Sequence, residues 1–150
     1  MASYNESRSH FGAWCVTSNP LILGFDVLED LKLAEMWYII TNTEAIAVNQ
    51  AWNGHPGQLA KELPLANGTS VQVWSKSLSN NKVAAFFISN QTMFASYTTY
   101  SINLNELNIT SGSASVRDVW LHKDLGTVKN QLVTDPFGFH DSRFYILTGQ

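Results

Sequence analysis

The hydrophobic pattern divides the chain into a helical first part and a strand-rich second part, with the change near residue 58. Phe11 and Trp14 recur at helical spacing and predict a first helix, with Ser3 and Asn5 as capping candidates. Asn19-Pro20 is expected to end this helix, because the residue before a proline is disfavoured in the α conformation.

A short apolar run follows the first helix. Leu21-Ile22-Leu23-Gly24 has the pattern of a strand buried on both faces, which is typical of a parallel sheet. A second helix is predicted from about 28 to 40, with Asp26 well placed as its N-cap. One side of this helix is apolar and is expected to be buried: Val27, Leu31, Ala34, Trp37 and Tyr38.

In the second part of the chain, short strand-like runs alternate with turn sequences, as in all-β proteins. Residues 43–50 predict one further helical turn that runs into an irregular segment, and the Gly- and Pro-containing segment 51–57 predicts a loop. Short β-rich runs then alternate with turn sequences. The runs are Val71–Leu78, Lys82–Asn90, Thr98–Leu107, Ser115–His122, Thr127–Thr134 and Arg143–Thr148. Six or more strands at this spacing favour an antiparallel sandwich.

Composition narrows the classes of partner. Hydrophobic residues make up 45% of the 150 residues, charged residues only 14%, and the formal net charge is −3. The chain has no basic stripe, so nucleic acid is an unlikely partner. It has no apolar stretch of about 20 residues and no signal-peptide pattern at Met1, so we expect no membrane span and no signal peptide in these residues.

One cysteine and four glycosylation sequons give opposite indications of compartment. Cys15 has no partner for an internal disulfide, which favours a reducing compartment. Asn5, Asn67, Asn90 and Asn108 each begin an Asn-x-Ser/Thr sequon, which favours secretion. The last three fall in turn-like sequence and are the glycosylation candidates.

Several motifs in order resemble family 27 glycoside hydrolases, the family of α-galactosidases or melibiases. Residues 9–15 (SHFGAWC) and 19–26 (NPLILGFD) are similar to the family's last barrel strand and the helix before it. Residues 40–50 (ITNTEAIAVNQ) resemble the family's TNKEVIAVNQ motif, which many members continue with Asp-Pro-Leu-Gly. Here Ala51-Trp52-Asn53-Gly54 stands instead, which indicates a subgroup variant.

The second part of the chain carries the resemblance further. Residues 71–78 (VQVWSKSL) resemble the opening strand of the family's C-terminal domain, and residues 116–126 (VRDVWLHKDLG) resemble a later segment. The resemblance implies a mixed fold. Residues 1–58 would be the end of a (β/α)8 catalytic barrel, a helix–strand–helix fragment, and residues 59–150 an all-β antiparallel sandwich domain.

The resemblance implies a retaining α-galactosidase that cleaves terminal α-galactosyl groups. Such chemistry needs two carboxyl groups about 5 Å apart. In the family both are aspartates on earlier barrel strands, so we expect them upstream of Met1 and expect these 150 residues to be inactive alone. No cofactor is expected. The parent enzyme would be secreted, lysosomal or vacuolar, and a homodimer is left open.

Two residues are candidates for a place near the substrate. Asp26 lies where the last barrel strand would end, on the face where barrel active sites form, although an N-cap is the favoured interpretation. Trp52, in a loop beside His55, is the better candidate for stacking on a sugar. Trp14 and Trp37 lie on apolar helix faces, which favours core packing.

Other constellations predict structure rather than chemistry. Cys15 and His10 are five residues apart, so their side chains diverge by about 140° on a helix, and we reject a nucleophile pair. The histidines show no metal-ligand spacing. The charges Arg117, Asp118, Lys123 and Asp124 favour a surface ion-pair network bordering Trp120.

A second hypothesis makes the chain a non-enzymatic β-sandwich that binds carbohydrate or another protein. The run at 21–23 argues against it, because a lone barrel strand would leave both faces and both edges bare. We therefore expect the chain to be part of a longer enzyme.

Overall fold

A computed structural model describes residues 3–65, 68–91 and 96–150. Three helices come first: α1 (Tyr4–Val16), α2 (Asp30–Ile40) and α3 (Thr43–Gln50). Eight strands follow: β1 (Gln58–Pro64), β2 (Ser70–Leu78), β3 (Lys82–Ser89), β4 (Ser101–Asn103), β5 (Ser113–Asp118), β6 (Lys123–Lys129), β7 (Gln131–Val133) and β8 (Ser142–Gly149). A 3-10 helix at Leu104–Leu107 lies between β4 and β5.

The first helix forms as its sequence predicts. The Ser3 hydroxyl accepts a hydrogen bond from the Glu6 amide (3.3 Å) and the Glu6 carboxylate accepts one from the Ser3 amide (2.6 Å). This capping box satisfies two amides that the helix itself leaves unpaired. The helix ends at Val16, just before the predicted stop.

The second helix starts later than predicted, and Asp26 is not its N-cap. The helix begins at Asp30, and Glu29 occupies the cap position without a side-chain hydrogen bond. Asp26 instead accepts a hydrogen bond from the Leu28 amide at 2.9 Å, which closes a local turn. Such turns compete with helix formation, so Asp26 holds the chain outside the helix.

The apolar face predicted to be buried on α2 is exposed. Leu31 is 85% and Trp37 51% accessible, whereas Met36 and Ile39 are buried. The helical period was correct, but the face has no covering element among the residues that the structure describes. The prediction that Trp37 packs in a core is therefore wrong for this chain.

The predicted strand at residues 21–24 does not form a strand. The segment has no regular secondary structure: the Ile22 amide donates to the Pro20 carbonyl at 3.1 Å instead of to a neighbouring strand, and Ile22 is 69% exposed. A strand is defined by its neighbours, and no described strand lies beside this one.

Six strands form one antiparallel sheet in the order β1-β2-β3-β8-β5-β6, and β4 pairs with β7 in a second, two-stranded sheet. This confirms the antiparallel sandwich. Two of the predicted runs are divided: residues 98–107 become β4 and the 3-10 helix, and residues 127–134 break at Asn130, where φ is 62°. The strand β1 lies earlier than any predicted run.

Both faces of the large sheet are buried, because side chains alternate along its central strands. In β3, Val83, Ala85 and Phe87 face the core shared with the small sheet. Ala84 and Phe86 face a second core that is shared with the helices.

The helices pack on the sheet at close range. A Cβ on Gly12 of α1 would lie 2.4 Å from the Phe86 ring of β3, so only glycine fits there. Gly57 donates to the Val16 carbonyl at 2.9 Å, and a Cβ at Gly57 would lie 2.2 Å from that oxygen. These two contacts fix α1, and the chain entering β1, against the sheet.

Candidate functional site

Asp26 lies on an exposed, irregular segment between α1 and α2. Beside this segment is a cavity of about 290 Å³ that is lined mainly by apolar groups, including Trp14, Leu23, Phe25 and Met36. None of the described residues that line it carries a carboxylate. Asp26 lies beside the cavity but does not line it, so the cavity has no carboxylate general acid or base among these residues.

Trp14 is half-buried at the edge of the helix layer, and its ring meets the His10 ring edge-on with centroids 4.5 Å apart. His10 and Trp14 both line the apolar cavity. Trp14 is not among the described residues that form or pack against either hydrophobic core, so the prediction that it packs in the core is not confirmed.

Trp52 is 66% exposed in the loop after α3. The next residue, Asn53, lines a polar basin of about 660 Å³ between this loop, the β2–β3 hairpin and the end of the 3-10 helix. The basin is lined mostly by side-chain amides and hydroxyls, and Asn108 lies at its rim. Trp52 and Asp26 share no hydrogen bond or ring contact, so the structure does not bring the two predicted substrate residues together.

Glu44, at the start of α3, is an acidic group with several partners. Its carboxylate accepts hydrogen bonds from Arg117 Nε (3.1 Å) and Nη2 (2.8 Å), and it lies 2.8 Å from His122 Nδ1. The Arg117 guanidinium, and to a lesser degree His122, hold the pKa of Glu44 below its ordinary value. A carboxylate that is fixed in its ionised form cannot act as a general acid.

The predicted charge network is partly correct. Arg117 pairs with Asp124 at 3.2 Å and with Glu44, which the sequence did not indicate. Asp118, in contrast, is buried beneath the surface and is not a member of the network. Its Oδ1 accepts a hydrogen bond from the Leu121 amide at 2.9 Å.

Asp118 and Asp135 form a second acidic site that the sequence did not predict. Burial raises the pKa of Asp118, and Asp135 raises it slightly further. Both line a cavity of only about 140 Å³, closed by Arg8, Trp120 and Arg143. Ligand-binding cavities usually have a volume of about 300 Å³ or more, so this cavity is too small to hold a sugar. We therefore assign Asp118 and Asp135 a structural role.

Cys15 and Lys76 are buried together where helices and sheet meet. Burial raises the pKa of the Cys15 thiol to about 12, so it is not a nucleophile at neutral pH. Lys76, fully buried in β2, donates to the carbonyls of Val48 and Asn49 and to the Ser18 hydroxyl. Burial lowers the pKa of Lys76. We assign both residues to the packing of the two layers.

Within residues 3–65, 68–91 and 96–150, no group of three or more His, Cys, Asp or Glu side chains is arranged to hold a metal ion. In the same part of the chain, no helix combines the length and the apolar character needed to cross a membrane.

The glycosylation candidates differ in their surroundings. Asn108 is exposed, in the left-handed conformation (φ 61°, ψ 24°), at the end of the 3-10 helix. Asn90 is exposed, but its Oδ1 accepts a hydrogen bond from the Ser70 amide at 2.5 Å. Asn67 lies outside the described residues.

The fold, an antiparallel sandwich with helices packed on its outer sheet, defines the class to which the chain belongs. Residues 68–147 match the family described as the α-galactosidase C-terminal β-sandwich domain. The chain belongs to this family, glycoside hydrolase family 27, and corresponds to its C-terminal region.

Individual relatives agree. The chain is similar to α-galactosidase 3 of Arabidopsis thaliana, with 35% identity over 150 residues, 99% of this chain and 32% of the relative. It is similar to an α-galactosidase of Oryza sativa subsp. japonica, with 32% identity over 95% of this chain and 32% of the relative. The chain therefore spans about a third of the length of these relatives.

A solved structure shows the same architecture. The α-galactosidase I of Mortierella vinacea superposes with a TM-score of 0.80 and 25% identity, over 99% of this chain and 36% of that one. The α-galactosidase of Saccharomyces cerevisiae superposes with a TM-score of 0.83 over 44% of its length, and at 16% identity it shows the fold alone.

Sequence reasoning missed Lys76, Glu44 and the amides of the basin. Lys76 and Glu44 belong to periodic runs whose partners are distant in sequence. The basin residues looked like turn sequence, and only the abundance of Asn and Ser in those turns was visible beforehand.

Proposed function

We propose that this chain is the C-terminal part of an α-galactosidase-type retaining glycoside hydrolase that removes terminal α-galactosyl groups. The observation that carries the proposal is 35% identity over 150 residues, aligned with about a third of an α-galactosidase. The exposed apolar face of α2 supports it, because that face is the kind of surface that a preceding barrel would cover.

In this proposal residues 1–58 supply the end of the barrel and residues 59–150 the sandwich. The two catalytic aspartates would lie on barrel strands before Met1, about 5 Å apart as double displacement requires. Asp26 would lie near the sugar pocket once its segment pairs with a neighbouring strand. Trp52 would offer an exposed ring to a sugar.

Two preparations test the proposal. The 150 residues alone should not hydrolyse an aryl α-galactoside. A chimera in which they replace the C-terminal third of the Arabidopsis relative should fold and hydrolyse it, because the relative's barrel supplies the carboxylates. Turnover by the purified 150 residues would contradict the first expectation. A folded but inactive chimera, beside an active relative, would contradict the second.

Substrate, compartment and assembly extend the same proposal. A Saccharomyces α-galactosidase has been solved with raffinose, which makes raffinose a suitable natural substrate for the chimera. A secretory route, ending outside the cell or in a vacuole or lysosome, agrees with the exposed sequon at Asn108. A homodimer of the complete enzyme is part of the proposal and is tested by light scattering on the chimera.

The alternative is a non-enzymatic sandwich that binds carbohydrate. One observation favours it, the amide-lined basin beside Trp52. The exposed faces of α2 and of residues 21–24 favour the enzyme, since a separate binding module gains nothing from bare apolar surface.

A further inference from the structure

We propose that the polar basin between the loop after α3 and the β2–β3 hairpin is a non-catalytic binding site for a neutral sugar. This goes beyond the proposed function, because none of the described residues that line it carries a carboxylate and it requires no reaction. Six of these residues carry the argument: Asn53, His55, Gln58, Asn80, Asn81 and Asn108.

The lining selects the class of ligand by charge. Lys82 is the one charged side chain other than histidine among the described residues that line the basin. A cation site would need carboxylate or carbonyl cages, and a phosphate site would usually combine several cationic or amide donors. The basin offers side-chain amides and serine hydroxyls, which can both donate and accept hydrogen bonds. Sugar hydroxyls also do both, so the chemistry matches a neutral polyhydroxyl ligand.

The amides have hydrogen-bonding capacity left. Asn53 Nδ2 donates to Ser77 Oγ at 2.9 Å and Asn81 Nδ2 donates to the Gly149 carbonyl at 3.0 Å, so one end of each side chain is anchored. In the described parts of the chain, neither Oδ1 accepts a hydrogen bond, and the side chain of Asn80 makes none. The free ends are therefore available to a ligand.

The basin is also held in shape before any ligand arrives. Asn80 and Asn81 are both left-handed, with φ of 61° and 58°, in the turn that closes the β2–β3 hairpin. Val83 and Leu107, which are buried in the core, also line the basin. A preformed site loses little conformational freedom on binding, which permits measurable affinity even for a shallow surface.

The sugar could come from two sources. One is a free oligosaccharide. The other is the chain's own N-glycan at Asn108, since that asparagine lines the basin and begins a sequon. Both present the same hydroxyl chemistry, and the experiment separates them.

The test is a titration of the unglycosylated 150-residue chain, made in a bacterial host, with raffinose and with N,N′-diacetylchitobiose. Nuclear magnetic resonance reports the side-chain amide signals. We expect at least one sugar to shift the basin amides, with a Kd on the order of 1 mM, about the weak end of specific recognition. Absence of any shift at about 50 mM of either sugar would overturn the proposal.

A matched pair of variants makes the test specific. Asn80→Gly removes a lining amide without altering the left-handed turn, and Asn130→Gly makes the same change at a left-handed position (φ 62°) whose residue does not line the basin. Loss of one hydrogen bond should weaken binding about 2- to 10-fold for Asn80→Gly and leave Asn130→Gly unchanged. Equal affinities would overturn the proposal.

Two further preparations complete the design. Thr110→Ala destroys the sequon without touching the basin. Wild type and Thr110→Ala are then secreted from eukaryotic cells and titrated with free sugar. If only Thr110→Ala binds the sugar, the Asn108 glycan is the natural occupant of the basin. If both forms bind it, the natural ligand is a free oligosaccharide. The chimera described above carries the same titration if the 150 residues alone aggregate. Because binding is read rather than hydrolysis, failure here and failure of the proposed activity are distinguishable.

Discussion

The buried ammonium of Lys76 donates a hydrogen bond to the main-chain carbonyl of Val48, so a strand of the sandwich reaches the C-terminal end of α3. It also donates to the Asn49 carbonyl at 3.2 Å. The last carbonyls of a helix have no partner within the helix and carry partial negative charge, which suits a cation. Lys76 therefore joins the two layers by satisfying groups that the helix cannot.

Replacing this ammonium should weaken the junction. Lys76→Met keeps most of the side-chain volume but leaves the Val48 carbonyl buried without a donor, whereas the Asn49 carbonyl keeps its hydrogen bond from the Ser18 hydroxyl. We expect the free energy of unfolding to fall by about 1–3 kcal/mol. Urea unfolding followed by tryptophan fluorescence measures it. The exposed Lys129→Met should change it by less than about 0.5 kcal/mol, and an equal effect of both variants would contradict the assignment.

The ion pair of Glu44 with Arg117 should make stability depend on acid pH. The pKa of Glu44 is lower in the folded chain than its ordinary 4.5. The unfolded chain therefore binds the proton more readily, and the contribution of this pair is complete above pH 4.5 and lost as pH falls through the folded pKa. Glu44→Gln should lower stability at neutral pH and flatten its decline below pH 4.5.

Unfolding in urea at several pH values between about 3 and 6 checks this. Glu35→Gln is the control, because Glu35 forms an exposed i,i+3 pair with Lys32 and such pairs contribute little. The idea fails if wild type and Glu44→Gln decline in parallel across that range.

The sequon at Asn108 gives a chemical prediction. Its side chain is exposed and makes no hydrogen bond with a described residue, whereas Asn90 already accepts one from the Ser70 amide. We expect chain secreted from eukaryotic cells to carry a glycan at Asn108. Intact-mass spectrometry of wild type and Thr110→Ala should differ by one glycan, and identical glycan content would contradict the prediction.

Local sequence signals were sufficient to predict the helices and strands, but not which residues they contact in the fold. The helical spacing of Phe11 and Trp14 and the turn residues between the β-rich runs predicted α1 and the sandwich correctly, because each signal depends on neighbours in sequence. The burial of Lys76 could not be predicted, since its acceptors in α3 lie 27 and 28 residues away. A charged residue in a strand ordinarily indicates the solvent face.

The candidate site shows the same limit. Asp26 had the sequence of a helix cap, but its side chain accepts a hydrogen bond from the Leu28 amide in a local turn, and the helix begins later, at Asp30. The basin could not be foreseen, because it joins Asn53 to Asn81 and Asn108 from three separate turns. Family resemblance gave the class of enzyme, which no single motif established.

The exposed face of α2 yields the sharpest prediction about the longer protein. Leu31 is 85% exposed in this chain, so Leu31→Lys should leave the unfolding free energy within about 0.5 kcal/mol and reduce aggregation of the 150 residues. In the chimera the relative's barrel should cover α2. The same lysine would then be buried without a partner and should cost more than about 1 kcal/mol, measured as a lower melting temperature of the hydrolytic activity.

Leu121→Lys is the matched control, since Leu121 is 61% exposed and belongs to the β5–β6 turn of the sandwich rather than to α2. It should be tolerated in the 150 residues and in the chimera alike. If Leu31→Lys were equally harmless in the chimera, α2 would be a solvent face in the complete protein too, and the barrel would have to dock elsewhere. A loss confined to Leu31→Lys in the chimera identifies the period-3.6 stripe of α2 as the surface that joins this chain to the catalytic part of the enzyme.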